Sequence, residues 1–122
     1  MDAREFESVV SSVLEELPED FAEKLTNVQV VVGSAPSAAE IEAARVPEGR
    51  SLLGLYQGVP LASRGIGYSL TLPDKITIYR EPIELASRAE RLPVAEMIRR
   101  VVLHEIAHHF GISDSRLREL GY

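Results

Sequence analysis

The sequence predicts an α+β fold: one domain in which a small mixed β-sheet packs on an N-terminal helix and on a long helix near the C-terminus. Three observations carry this. Apolar residues recur at helical spacing at both ends of the chain, three short strand-like runs lie between them, and turn-forming Gly and Pro separate those runs. At 122 residues the chain has the length of one domain with room for a real core.

The first helix is expected over residues 2–17, where Phe6, Val9, Val10, Val13, Leu14 and Leu17 build one apolar stripe. Asp2 and Glu5 have capping-box spacing at its start, and Pro18 stops it. A short polar link anchored by Phe21 and Leu25 leads to a strand from Asn27 to Val32. Its valines are nearly continuous, the pattern of a strand covered on both faces or centrally placed, and Gly33 ends it. Between 34 and 50, Ser37 and Glu40 again have capping-box spacing, for a short helix between Pro36 and Pro47. This reads as a surface excursion or a flap near the cleft, and no function is assigned to it.

Leu52 to Gln57 is the second strand, closed by Gly58-Val59-Pro60. Residues 61–73 read as a loop; Arg64 within it is either a solvated charge or a group that binds a substrate carboxylate or carbonyl. Pro73-Asp74 turn the chain into Lys75 to Arg80, where Ile76 and Ile78 alternate with Thr77 and Tyr79, which predicts a half-exposed strand. Ile83 to Arg91 is helical or turn-like. From Val94 to Phe110, Val94, Met97, Ile98, Val101, Val102, Ile106 and Phe110 continue a helical stripe, with Pro93 in the first turn and Phe110 read as core. Residues 115–122 form a last turn or short helix, with Leu117 and Leu120 packing back.

The chemistry concentrates at the end of the long helix, in His104-Glu105-Ile106-Ala107-His108-His109-Phe110-Gly111-Ile112-Ser113-Asp114. Residues four apart share a helix face, so His104 and His108 can present imidazoles to one point. Two imidazoles suit Zn²⁺, which in catalytic sites takes three protein ligands and leaves a position for water. Glu105 is placed beside that water as its general base. Gly111 can end the helix in a left-handed conformation, after which Asp114 arrives with a carboxylate that could complete the ligand set. His109 lies about 100° around the helix from His108, out of reach of the same ion. It reads as a packing or hydrogen-bonding residue, with substrate binding as the alternative. A bare HExxH arises by chance in about one chain of this length in several hundred, and the added glycine and aspartate lower that by roughly two orders of magnitude.

Composition narrows the partners. The net charge of −6 and the absence of a basic patch argue against nucleic acid and against an anionic membrane surface. Without cysteine, any metal is held by nitrogen and oxygen. The acidic start, Met1-Asp2-Ala3-Arg4-Glu5-Phe6, is not a secretory signal, and no apolar run is long enough to span a bilayer, so a cytoplasmic protein is expected.

His104, Glu105, His108, Gly111 and Asp114 match HExxHxxGxxD, and so resemble the zincin metallopeptidases whose third ligand is an aspartate. The doubled histidine in HEIAHHFGISD, with LGLYQGVPL and LPDKITIYREPIE upstream, is similar to the mini-zincin family of small bacterial zincin-like metallopeptidases, over roughly residues 50–120. Before residue 50 the likeness is one of helix-then-strand layout. The resemblance implies a single minimal zincin-like domain over 1–122 and one zinc ion on His104, His108 and Asp114. It implies peptide-bond hydrolysis with Glu105 as base, and a peptide or protein as substrate. It also implies that the Lys75–Arg80 strand or its neighbour Leu52–Gln57 lies along the cleft and pairs its free edge with the substrate main chain; the sequence does not choose between them. A tyrosine or histidine often stabilises the oxyanion in related enzymes, and Tyr56, Tyr68, Tyr79 and Tyr122 are all available. Two other readings are a non-catalytic, metal-containing peptide-binding module and a metal-dependent endoribonuclease. Glu105, Asp114 and the acidic charge count against the second.

Overall fold

The computed structural model of the chain describes residues 1–46, 51–58 and 73–122. In order these form helix α1 (Ala3–Glu15), helix α2 (Glu19–Lys24), a 3-10 turn (Leu25–Asn27), strand β1 (Val28–Gly33), helix α3 (Ala38–Ala43), strands β2 (Gly54–Gln57) and β3 (Asp74–Tyr79), and helices α4 (Arg80–Glu90), α5 (Val94–Phe110) and α6 (Asp114–Glu119). The α+β class expected from the sequence is the class found. Arg64, Tyr68 and most of the 61–73 loop lie outside the described residues.

The sheet has the order β1-β3-β2 and is mixed, as expected. β1 runs parallel to β3 from Val28↔Asp74 to Gly33↔Tyr79, and β2 runs antiparallel to β3 from Gly54↔Ile78 to Gln57↔Lys75. One expectation is narrowed here and another corrected. Of the two placements expected for the valine-rich strand, the central one is not taken: among the described strands it is an edge, with no fully buried residue, and Val28, Val30 and Val32 pack against the core. The strand read as half-exposed is instead the central one, with Ile76, Thr77, Ile78 and Tyr79 all buried. Alternation registers side-chain polarity and misses cover supplied from elsewhere: the Tyr79 hydroxyl donates to Glu40 of α3, which lets a polar-tipped ring be buried.

Helix α1 is capped by Asp2, whose carboxylate accepts the Glu5 N–H at 2.8 Å, and it buries Phe6, Val10 and Val13. The segment after Pro18, read only as a short polar link, is helical as α2. Its buried face amounts to Phe21 alone, too little periodicity to detect. Ser37 and Glu40 form the reciprocal capping box at α3. Helix α4 follows β3 without a gap, with Pro82 tolerated in its first turn.

Helix α5 is the spine of the fold. It buries Met97, Ile98, Val101, Val102, Leu103, Ile106 and Ala107, and packs against α1, α2, α4, α6, β2 and β3. β2 comes very close to it: a Cβ on Gly54 would lie 2.5 Å from Val101 Cγ1, so only glycine permits this approach. Phe110, read as core, remains 37% exposed. It occupies the last turn of α5, where it meets Tyr56 edge-on at 6.0 Å, with the Lys24 ammonium 6.0 Å over its ring.

Candidate metal centre and cleft

Helix α5 ends as its sequence requires. Gly111 adopts φ 68°, ψ 27°, and the Ile112 N–H returns to the Ala107 carbonyl at 3.1 Å. A Cβ there would meet nothing within 4 Å, so the demand for glycine comes from the backbone angle alone. Ser113 then caps α6 by accepting the Arg116 N–H at 3.2 Å, and Asp114 becomes the first residue of that helix.

His104 and His108 share a face of α5, their ring centroids 6.3 Å apart and their planes at 78°. Burial lowers the His104 pKa, helped by the charges of His108 and Arg100, while the Asp114 carboxylate pulls it upward. A histidine held neutral keeps a lone pair for a metal. Two imidazoles and a nearby carboxylate, with no thiolate anywhere in the chain, form a donor set suited to zinc. Among the described residues, however, no three His, Asp or Glu side chains converge closely enough to hold an ion. His104 and His108 are brought together, and Asp114 stands near them without closing the set.

Glu105 is mostly enclosed. Burial pushes its carboxyl pKa up, opposed by the charge of His108 and by the backbone N–H of Tyr56. Among the described residues that N–H lies on the edge of β2 away from β3. Tyr79 N–H donates to Leu53 at 3.0 Å, so in the alternating antiparallel ladder Leu55 and Gln57 face β3, while the backbone groups of Gly54 and Tyr56 point outward. β3 is paired on both sides, which leaves β2 as the strand whose edge borders the motif helix.

His109 finds its place against that strand. Its ring stacks on Tyr56 at 3.9 Å and 15°, and its Nε2 lies 3.9 Å from Glu105 Oε2, beyond a hydrogen bond. Burial lowers its pKa as well. The Tyr56 hydroxyl donates to Asp74 Oδ2 at 2.7 Å, and burial together with that carboxylate pushes the phenol pKa up to about 12. On the other flank Tyr122 presents its ring edge to His104 at 6.4 Å and donates to Glu96 at 2.9 Å. Of the four tyrosines, then, Tyr56 is committed to Asp74, Tyr79 to Glu40 and Tyr122 to Glu96, while Tyr68 is outside the described residues.

Sequence reasoning left Asp74 as a turn residue and Tyr56 unranked. Both sit inside the segments LPDKITIYREPIE and LGLYQGVPL that carry the family likeness, which is the signal that could have singled them out. Asp20 and Arg116, which join α2 to α6, had no local signal at all.

A small α+β fold with HExxH on its central helix has the layout of the zincin-like class. Residues 25–122 match the zincin-like metallopeptidase family, and the chain belongs to it. Among solved structures it is similar to a conserved hypothetical protein from Thermus thermophilus, at 27% identity and a TM-score of 0.61, over 90% of this chain and 94% of that one. No curated protein matches the chain. Among the described residues no helix is long and apolar enough to cross a membrane.

Proposed function

We propose that the chain is a zinc-dependent metallopeptidase in which His104, His108 and Asp114 hold one ion and Glu105 is the general base. The observation that carries this reading is the position of Glu105: a mostly buried carboxylate, its pKa raised, set between the imidazoles of His108 and His109 on the exposed end of a helix locked in the core. When bound, zinc polarises the scissile carbonyl and acidifies a water. Glu105 accepts the proton of that water, and the raised pKa brings its basicity closer to neutrality; it then returns the proton to the leaving amine. The outward backbone groups of Gly54 and the outward carbonyl of Tyr56 on β2 offer an extended peptide main-chain hydrogen bonds without demanding a particular sequence, while the Tyr56 N–H is engaged by Glu105. The substrate is a peptide or protein, with no nucleic-acid or membrane partner, in a cytoplasmic setting.

The test begins with elemental analysis of wild type and His108→Ala, purified without chelator or nickel. Near-stoichiometric zinc that disappears in the variant supports the ligand set. Peptide hydrolysis that Glu105→Gln abolishes while zinc is retained supports the base; hydrolysis that survives this change overturns the mechanism. Retained zinc with no hydrolysis in wild type returns the chain to a metal-containing binding module.

A further inference from the structure

Helix α6 has six residues, too few to hold a position by itself. Leu117 is buried in the core, and Ile112 before the helix and Leu120 and Tyr122 after it pack against that core. These apolar contacts seat the helix but carry no directional bond to its first turn, where Asp114 stands. A directional tie from that end is made by Arg116, whose guanidinium forks onto Asp20 of α2, Nε to Oδ2 at 2.9 Å and Nη2 to Oδ1 at 3.1 Å. Asp20 is itself well fixed, because its neighbour Phe21 is completely buried. Glu119 accepts from Arg116 Nη1 at 3.1 Å and steadies the guanidinium from the other side. The Arg116 backbone N–H meanwhile closes the cap on Ser113, so Asp114 lies between two bonded points, residues 113 and 116.

We infer that Asp20 and Arg116 are a positioning pair for Asp114: the fork between α2 and α6 sets where the carboxylate stands relative to His104 and His108, and so tunes metal affinity from a distance. This rests on the ligand set proposed above. A solvent-exposed ion pair contributes little to overall stability. Its bidentate geometry, however, fixes orientation, and a salt bridge between residues this far apart in sequence has no other evident local task. Groups that orient metal ligands commonly change affinity by tenfold or more when removed.

The experiment is calorimetric titration of zinc into the metal-free protein, for wild type, Asp20→Asn, Asp114→Ala and the double variant, with Arg116→Gln as a second way to open the fork. The expected result is a Kd weakened on the order of tenfold by Asp20→Asn or Arg116→Gln, with no further loss when Asp20→Asn is added to Asp114→Ala. A purely structural bridge would lower Tm and leave Kd unmoved, and that outcome overturns the inference. Equal losses in both backgrounds also overturn it, because the fork would then act without Asp114. If wild type binds no zinc, the proposed function falls with it; if wild type binds and the fork variants match it, this inference fails alone.

Discussion

The ring of Tyr56 lies flat on that of His109, 3.9 Å away and within 15° of parallel, and this contact joins the edge strand to the motif helix beside Glu105. The tyrosine is held in turn by Asp74. Tyr56→Phe removes that hydrogen bond and keeps the stack, at an expected cost of about 1 kcal/mol in urea unfolding. Tyr56→Leu removes both. In proton NMR the His109 ring signals should be shifted by the neighbouring ring in wild type and Tyr56→Phe, and lose that shift in Tyr56→Leu. Unchanged His109 signals in Tyr56→Leu would show that the stack does not form in solution.

The same phenol has a pH signature. Its folded pKa, about 12, lies above the ordinary value of 10.0, so the fold favours the protonated form. The resulting stability is complete below pH 10.0 and lost as pH rises through about 12. The difference in unfolding free energy between wild type and Tyr56→Phe should therefore shrink over that interval. A constant difference would count against the Tyr56–Asp74 bond.

Gly54 makes a steric statement that can be checked by rescue. Gly54→Ala drives a Cβ into Val101 and should cost about 1–3 kcal/mol. Adding Val101→Ala makes room, so the double variant should be more stable than the two separate losses predict. Simple additivity would mean that β2 does not sit this close to α5.

Asp20 gives the opposite pH response to Tyr56. Hydrogen bonding to Arg116 holds its carboxyl below the ordinary 3.8, so the bridge stabilises the fold above that value and is lost as pH falls through the lowered one. Thermal melts of wild type and Asp20→Asn should differ near neutrality and converge in strong acid. Melts that differ equally under both conditions would locate the effect of the substitution elsewhere.

Glu105 is expected to trade stability for function. Burial raises its pKa, so carrying its charge at neutral pH works against the fold of the metal-free protein. Glu105→Gln should raise Tm in the absence of metal and lower peptide hydrolysis by at least about a hundredfold. A lower Tm would mean that the carboxylate is better solvated than its surroundings indicate.

What the sequence revealed followed from where its information lies. Periodicity located α1 and α5 almost to the residue, and the Gly111 stop and the Ser37–Glu40 box are local rules that the chain obeys. Strand order is not a local property. The valines of β1 look the same on an edge as in a centre, and the cover over Tyr79 is brought by α3 from earlier in the chain. The histidine pair was legible because four residues make about one helical turn. The surroundings of Glu105 were not, because Tyr56 is brought to it by β2 and is held by Asp74 only through the pairing of β2 with β3.

The mixed sheet also sets an order of assembly. Gln57 pairs with Lys75 across one connection, whereas Val28 must find Asp74 after that connection and the α3 segment have both been gathered in. Loop-closure entropy grows with the length of chain enclosed, so the β2–β3 hairpin and the α4–α5 pair have the shorter searches, and β1 docks onto a frame already made. Pulse-labelled hydrogen exchange during refolding should register β1 amides last. The parts that build the cleft would then be in place before the sheet is complete, and the late strand would act on the site through the rigidity it lends β3.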